Sequence, residues 1–278
     1  MKNMSNTAKF LIVCAVIFAL GLVLTIGGCA AGGLDEFRNT LDGNGNAEKP
    51  VEEEMIVDEY EFSSIEITGC ADFVIAGNRY YKEVLEDNEI FDTEAKPGMV
   101  IVKYDKTKEP PEVSTENGRL TVDAAKAESD VLDFGVNLYE PTVIILCGDD
   151  ELGSIKVSSE ASDVDIAGVA FRSADVQTNA GEIDMRDVIS NGIMAVNDAG
   201  STEISGILKG TTEVRNEAGD IDVDTFDDPS SYSMELHTDA GDITVGENDI
   251  EGGEYTQKGG ENLLKLWTDA GDIEVDKK

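Results

Sequence analysis

Carboxylates flank one recurring corner of this chain. Immediately before six alanines (Ala161, Ala180, Ala199, Ala218, Ala240 and Ala270) stand Glu160, Asn179, Asp198, Glu217, Asp239 and Asp269. Two residues after the same alanines stand Asp163, Glu182, Ser201, Asp220, Asp242 and Asp272. Oxygen-rich, adaptable sets of this kind suit Ca²⁺. The candidate ligands are Asp220, Asp239, Asp242, Asp269 and Asp272, against the plainer reading that water and sodium solvate them. The Gly-Gly-x-Gly-x-Asp nonapeptide of dedicated calcium rolls is absent from the sequence.

Other chemistry finds less support. The chain has one histidine, His237, whose position beside the apolar Leu236 directs it outward on an alternating strand. Serines and acids are too abundant for a Ser-His-Asp set or a glycosidase carboxylate pair to stand out. One tryptophan, Trp267, gives no extended aromatic groove. Cys70 and Cys147 are the thiols of the outer domain, either joined in a disulfide or packed as small hydrophobes. No Cys/His cluster indicates zinc. The expected protein is not an enzyme and carries no catalytic or cofactor-binding residues.

The elements that position these residues repeat. The alanines are spaced 19, 19, 19, 22 and 30 residues apart, a period typical of stacked coils. Four residues before each alanine lie Val157, Val176, Ala195, Val214, Leu236 and Leu266. Two before lie Ser159, Thr178, Asn197, Asn216, Thr238 and Thr268. Three and five after come apolar positions such as Ile183 and Met185, or Ile221 and Val223. Alternation of this kind predicts half-buried strands. Its parity changes across the alanine and the glycine after it, so each copy reads as strand, corner, strand and return. The return carries an apolar residue eight after the alanine, at Val169, Val188, Ile207 and Phe226. Parallel stacking at ~4.8 Å turns each column into a stripe. The Ser/Thr/Asn stripe becomes an internal ladder, each side chain bonding its neighbour one rung away.

The front of the chain differs. Phe10 to Gly28 is an uncharged run of 19 residues preceded by Lys2 and Lys9, and as a helix it spans ~28 Å. It predicts a single-pass anchor with the N-terminus inside. Ile26-Gly27-Gly28-Cys29 is the alternative, a lipobox-like end that would make Cys29 a lipidated first residue. Residues 1–33 are thus the anchor, and 34–61 an acidic spacer, since residues 35–61 carry ten acids against two bases. Residues 62–278 form the outer domain. Strand signals there include Asn117-Gly118 as a hairpin turn and Val143 to Leu146 as a buried run. Tyr80 to Leu85 suggests a helical turn.

The layout resembles a bacterial family of repeated β-strand domains labelled "putative adhesin". The carrying residues are Ser64-Ile65-Glu66-Ile67, Ala71-Asp72-Phe73-Val74-Ile75, Glu116-Asn117-Gly118-Arg119-Leu120-Thr121-Val122, Pro141-Thr142-Val143-Ile144-Ile145, Ile155-Lys156-Val157 and the repeated Ala-Gly-Asp-Ile. The likeness spans roughly 62–278. It implies an all-β parallel solenoid, β-helix-like with coils of about 19–22 residues, on a membrane-anchored extracytoplasmic protein. It brings no catalytic residues. Cys147 departs from the proline frequent after that strand, and the segment 78–98 departs from the pattern.

Net charge is −37 over 278 residues, and from Glu160 onward 28 acids face 8 bases. Nucleic acid and anionic headgroups are therefore excluded as partners of the outer domain. A basic protein partner in the envelope fits, beside the plainer role of solubility. The excess of the last 30-residue step falls in Gly246 to Asn262. Loops inserted in solenoids emerge at one edge, so Gly252, Gly253, Tyr255, Gly259 and Gly260 form the candidate partner loop. The expected role is structural or binding work in the cell envelope, in adhesion or stress sensing. A carbohydrate-active hydrolase of the envelope is the alternative.

Overall fold

A computed structural model describes residues 52–125 and 140–278. The expected anchor and the Cys29 lipobox lie outside the described residues. No helix among the described residues is long and apolar enough to cross a membrane.

The described chain is all-β, a single curled sheet built from two-armed coils. Arm one precedes each corner and arm two follows it. The strand pairs β2 (Ser64–Gly69) and β3 (Asp72–Gly77), then β6 (Arg119–Ala124) and β7 (Thr142–Cys147), then β8 (Leu152–Ser159) and β9 (Val164–Ala167) supply the early arms. The repeats continue through β10 (Ala170–Ala180), β11 (Ile183–Ala199), β12 (Thr202–Ala218) and β13 (Ile221–Thr225). The last coils use β14 (Tyr232–Thr238) with β15 (Ile243–Val245), and β18 (Asn262–Ala270) with β19 (Ile273–Lys277). In β11 and β12 the expected return is no loop. The strand runs on from arm two of one coil into arm one of the next.

All pairings between coils are parallel, as the repeat demands, but the order is not sequential at either end. β2 lies between β6 and β8, and β3 between β7 and β9. At the other end β18 pairs with both β12 and β14, and β19 with both β13 and β15. The coil of Ala270 is thus inserted between those of Ala218 and Ala240. The 30-residue step is the length of chain that travels past the end of the stack and back.

That extra chain also closes the sheet. β16 (Asn248–Ile250) pairs antiparallel with β15, and β17 (Glu254–Gln257) antiparallel with β14. The opposite end is closed alike. β5 (Glu112–Glu116) pairs antiparallel with β6, β4 (Met99–Asp105) with β7, and β1 (Glu53–Glu59) with β4. β1 lies in the stretch that composition assigns to the acidic spacer, so the sheet begins before residue 62. Closing strands of this kind cover edges that would template association with another chain.

The core lies between the two arms. Val157, Val176, Ala195, Val214, Leu266 and Leu236 of arm one pack with Ile166, Met185, Ile204, Val223, Val275 and Val245 of arm two in one cluster. A smaller cluster covers the outer face of β3, β4 and β7. There the helix α1 (Tyr81–Asp87) buries Tyr81, Val84 and Leu85 against Ile101, Ile144 and Leu146. This explains the unbroken apolar run Val143 to Leu146, which is buried on both faces. No disulfide joins Cys70 and Cys147. Cys147 is buried in the core between the arms, and burial pushes its thiol up to about 12.

The corner glycines are required by space as well as by angle. Gly200 and Gly219 both have φ near +143°, outside the range of most side chains. A Cβ on Gly219 would sit 2.1 Å from the carbonyl oxygen of Gly200, and one on Gly200 would sit 1.9 Å from that of Gly181. The ladder residues serve these same carbonyls. Asn197 Nδ2 donates to Gly181 O at 2.8 Å, Thr268 Oγ1 to Gly219 O at 3.0 Å and Thr238 Oγ1 to Gly271 O at 2.8 Å. The stripe is buried as expected, but its members bond mostly to corner backbone and not to one another; its side-chain partners lie outside the stripe, Ser162 for Ser159 and Thr202 for Asn216. Corner oxygens turned inward would otherwise be desolvated and unpaired.

One column expectation fails. Val169 and Val188 are buried, whereas Phe226 is 44% exposed and Ile207 is only half-buried. The cause is a bulge. Asp187, at φ +53°, is an extra residue in arm two of its coil, so Val188 pairs with Gly206 instead of Ile207. Counting eight from the alanine then reaches the outer face in the later coils.

Candidate functional site

The outer face of arm two carries a file of acids. Asp184 pairs in register with Asp165 on one side and Glu203 on the other, Glu203 with Asp222, and Asp222 with Glu274. These lie four residues after the corner alanines, outward by the same alternation that buries their neighbours. Parallel rungs hold such side chains ~4.8 Å apart. Burial, then the charge of Asp165, pushes Asp184 up to about 6. Burial, then Glu274 and Glu203, does the same to Asp222. Arg186 is the cation on this file. It makes ion pairs with Asp165, Asp184 and Glu83 at 3.0–3.1 Å.

The bulge residue Asp187 gathers a second network. Its carboxylate accepts from Tyr80 Oη at 2.7 Å and pairs with Arg79 and with Lys278. The Lys278 and Tyr80 hydrogen bonds hold its carboxyl below the usual range. Three distant stretches of chain therefore meet at one strained residue.

The five candidate metal ligands separate into two groups. Asp220, Asp242 and Asp272 line a cleft of about 560 Å³ at the capped end, with Asp222, Asp249 and Glu251. Within it Asp220 Oδ1 accepts the backbone N–H of Asp272, and Asp272 Oδ1 accepts that of Asp242, both at 2.8 Å. Asp163 accepts the N–H of Glu182 likewise. The carboxylate two after the corner thus ties one rung to the next. Asp239 and Asp269 lie elsewhere, on the arm-one side. Among the described residues no group of three or more His, Cys, Asp or Glu side chains is arranged to hold a metal ion.

The candidate partner loop is built into the cap. Gly252 and Gly253 line the acidic cleft. Tyr255 packs half-buried against the core, and its hydroxyl donates to Gln257. Gly260 has no room for a side chain, since a Cβ would meet Ser231 O at 2.2 Å.

The outer face of arm one holds Trp267, 51% exposed. Register sets it between Arg215 of β12 and His237 of β14. Only the inserted position of β18 produces that neighbourhood. In a sequential stack Trp267 would lie on the last rung. His237 leans on the indole with ring centroids 4.1 Å apart, and its Nε2 lies 2.8 Å from Asp239. Its side chain is outward as expected, but only 20% exposed. Trp267 borders two clefts. One, of about 320 Å³, includes His237, Glu235, Glu254 and Tyr255. The other, of about 310 Å³, includes Asp198, Arg215, Glu217 and Asp269. Sequence columns show the acids Asp269, Glu217 and Asp239 two residues after Trp267, Arg215 and His237, but nothing in them reveals that Trp267 stands between Arg215 and His237.

A family model, the Toastrack domain DUF4097, matches residues 112–276. The chain belongs to that family of repeated β-domains, the one with the "putative adhesin" label. Among solved structures it is similar to a "putative cell adhesion protein" from Clostridium sporogenes ATCC 15579, at 14% identity and a TM-score of 0.52. That match covers 82% of this chain and 100% of the other, and it shows a shared fold. A "putative adhesin" from Bacteroides fragilis NCTC 9343 matches at 11% identity and a TM-score of 0.34, covering 81% of this chain and 98% of its own. No curated relative matches the sequence.

Proposed function

We propose that this chain is a membrane-anchored, extracytoplasmic binding module that holds a basic protein partner in the cell envelope. The observation that carries the reading is the in-register file Asp165, Asp184, Glu203, Asp222 and Glu274, with Arg186 as its cation. Stacked like charges cost stability, so a surface that keeps them is suited to a cationic counterpart. The adhesion labels of the similar proteins agree with a binding role. The uncharged run Phe10 to Gly28 supplies the anchor as a transmembrane helix, or Cys29 supplies it through a lipid. The domain is a solenoid of stacked coils that carries binding surfaces and performs no chemistry.

The test has two parts. Protease added to intact cells with the outer barrier opened should remove the domain and spare cytoplasmic controls. The purified full chain in detergent should bind polylysine but not polyglutamate, with affinity falling steeply as salt rises. Protection of the domain from protease would refute the topology. Salt-independent binding, or none, would refute the cationic partner.

A further inference from the structure

We infer that the cleft between Trp267 and the coil of Ala218 is a specific seat for the cationic side chain of a basic segment, arginine above all. The inference rests on the reading of this domain as a module for a basic partner, and it names where that partner is gripped.

The cleft of about 310 Å³ has one aromatic wall and an acidic rim. Trp267 supplies the wall. Asp198, Glu217 and Asp269 supply the rim, and none of the three has an ion pair or a side-chain hydrogen bond among the described residues. Asp198 and Glu217 precede the corner alanine on neighbouring rungs, and Asp269 follows on the next. Their backbones therefore lie ~5 Å apart from rung to rung, and all three side chains border the same cleft. The one cation on the wall is already engaged. Arg215 donates to Glu213 through Nε at 2.9 Å and Nη2 at 2.7 Å. Glu213 thereby offsets the Arg215 charge.

An indole face beside unpaired carboxylates matches a guanidinium. The planar group stacks on the ring and donates to two carboxylates from the same fork. A neutral saccharide fits worse. Its hydroxyls can donate to the rim carboxylates but leave their charge unbalanced, and the amides that could donate to its oxygens are committed inward. Asn197 Nδ2 donates to Gly181 O, and Asn216 Nδ2 to Gly200 O and Asp220 O. His237 leans on the ring from the β14 side, and half of Trp267 stays open for a ligand to cover.

The chain has a single tryptophan, so its emission reads the two clefts it borders, and the rim acids Asp198 and Asp269, which line only this one, tell them apart. The full chain in detergent is titrated with a capped peptide alternating serine and arginine. Saturable change of Trp267 emission is expected. By calorimetry, Trp267→Ala should weaken binding about tenfold, and Trp267→Phe should restore part of the loss. Asp198→Asn combined with Asp269→Asn should weaken it comparably while leaving the ring in place, which guards against a Trp267→Ala variant that fails to fold. Binding of equal strength in wild type and all variants, with emission unchanged, overturns this seat and leaves the basic-partner reading standing. No binding by any form at low salt overturns both. Saturable emission change with a neutral chitin oligomer and none with the peptide assigns the cleft to saccharide and overturns the proposal.

Discussion

At the scale of the residue, the repeat's Ala-Gly pair is a problem in close approach. Coils stack so tightly at the corner that the glycine carbonyl of one rung occupies the space of the next rung's Cβ. Gly219→Ala should therefore cost about 2–4 kcal/mol, combining strained backbone with a forced separation of rungs. Gly192 is the matched control. It lies in β11 without positive φ, and a Cβ there would meet nothing nearer than Thr211 O at 3.7 Å. Gly192→Ala should change stability by less than about 0.5 kcal/mol, or raise it. Chemical denaturation of both variants measures the difference, and similar losses at both positions would show that the corner is not the tight point. Much of this was legible in the sequence. The glycine column, the inward apolar columns and the Ser/Thr/Asn stripe all follow from counting. The bonding of the stripe does not, because a carbonyl carries no letter in the sequence. Nor does the bulge, because Asp187 reads as one more acid in an acidic chain.

At the scale of the element, the departures from plain periodicity are the elements that end the stack. A solenoid has two exposed edges, and here both are covered by antiparallel strands drawn from irregular sequence. The 30-residue step looks in the sequence like a loop insertion. It is at once a closing cap and the path that lets β18 slide between β12 and β14. Spacing cannot reveal this, since the same columns pair equally well in either order. The repeat fixes which columns align from rung to rung and leaves open which rungs are neighbours. The consequence is testable. Replacing residues 247–260 by a flexible Gly-Ser linker of the same length removes β16 and β17, keeps the path to β18 and bares the backbone edges of β14 and β15. The altered chain should self-associate in a concentration-dependent way that the parent does not show. Sedimentation velocity in detergent measures it, and an altered chain as monodisperse as the parent would mean that these strands do not protect the edge.

At the scale of the whole molecule, charge decides how the domain answers to its surroundings. Asp72, Asp184 and Asp222 are each pushed up to about 6, first by burial and then by neighbouring acids. In the unfolded chain the same groups titrate near 3.9. Between these values the folded state binds more protons than the unfolded, so stability falls as pH rises through about 6 and is gained as pH drops toward about 4. Asp187, Asp105 and Asp228 act oppositely. Hydrogen bonds from Lys278 and Tyr80, from Thr107 and from Ser230 hold them low. Their contribution persists above the ordinary carboxylate range and is lost only below it. Asp105 and Asp228 are surface groups screened by solvent, so the raised set dominates and stability is greater on the acid side of neutrality. The melting temperature at low ionic strength should climb from pH 8 to pH 5, and the gain should be offset in part below the ordinary carboxylate range as Asp187 is protonated. Asp184→Asn with Asp222→Asn should raise it at pH 7.5 and flatten the climb, because the charges that repel Glu203 from both sides are gone from the file. Sodium chloride should raise it at pH 7.5 and do less at pH 5, where the file is already partly protonated. A melting temperature that stays level or falls from pH 8 to pH 5 would refute the file as a site of stored repulsion. With it would go the main physical reason for expecting that face to welcome a cationic partner.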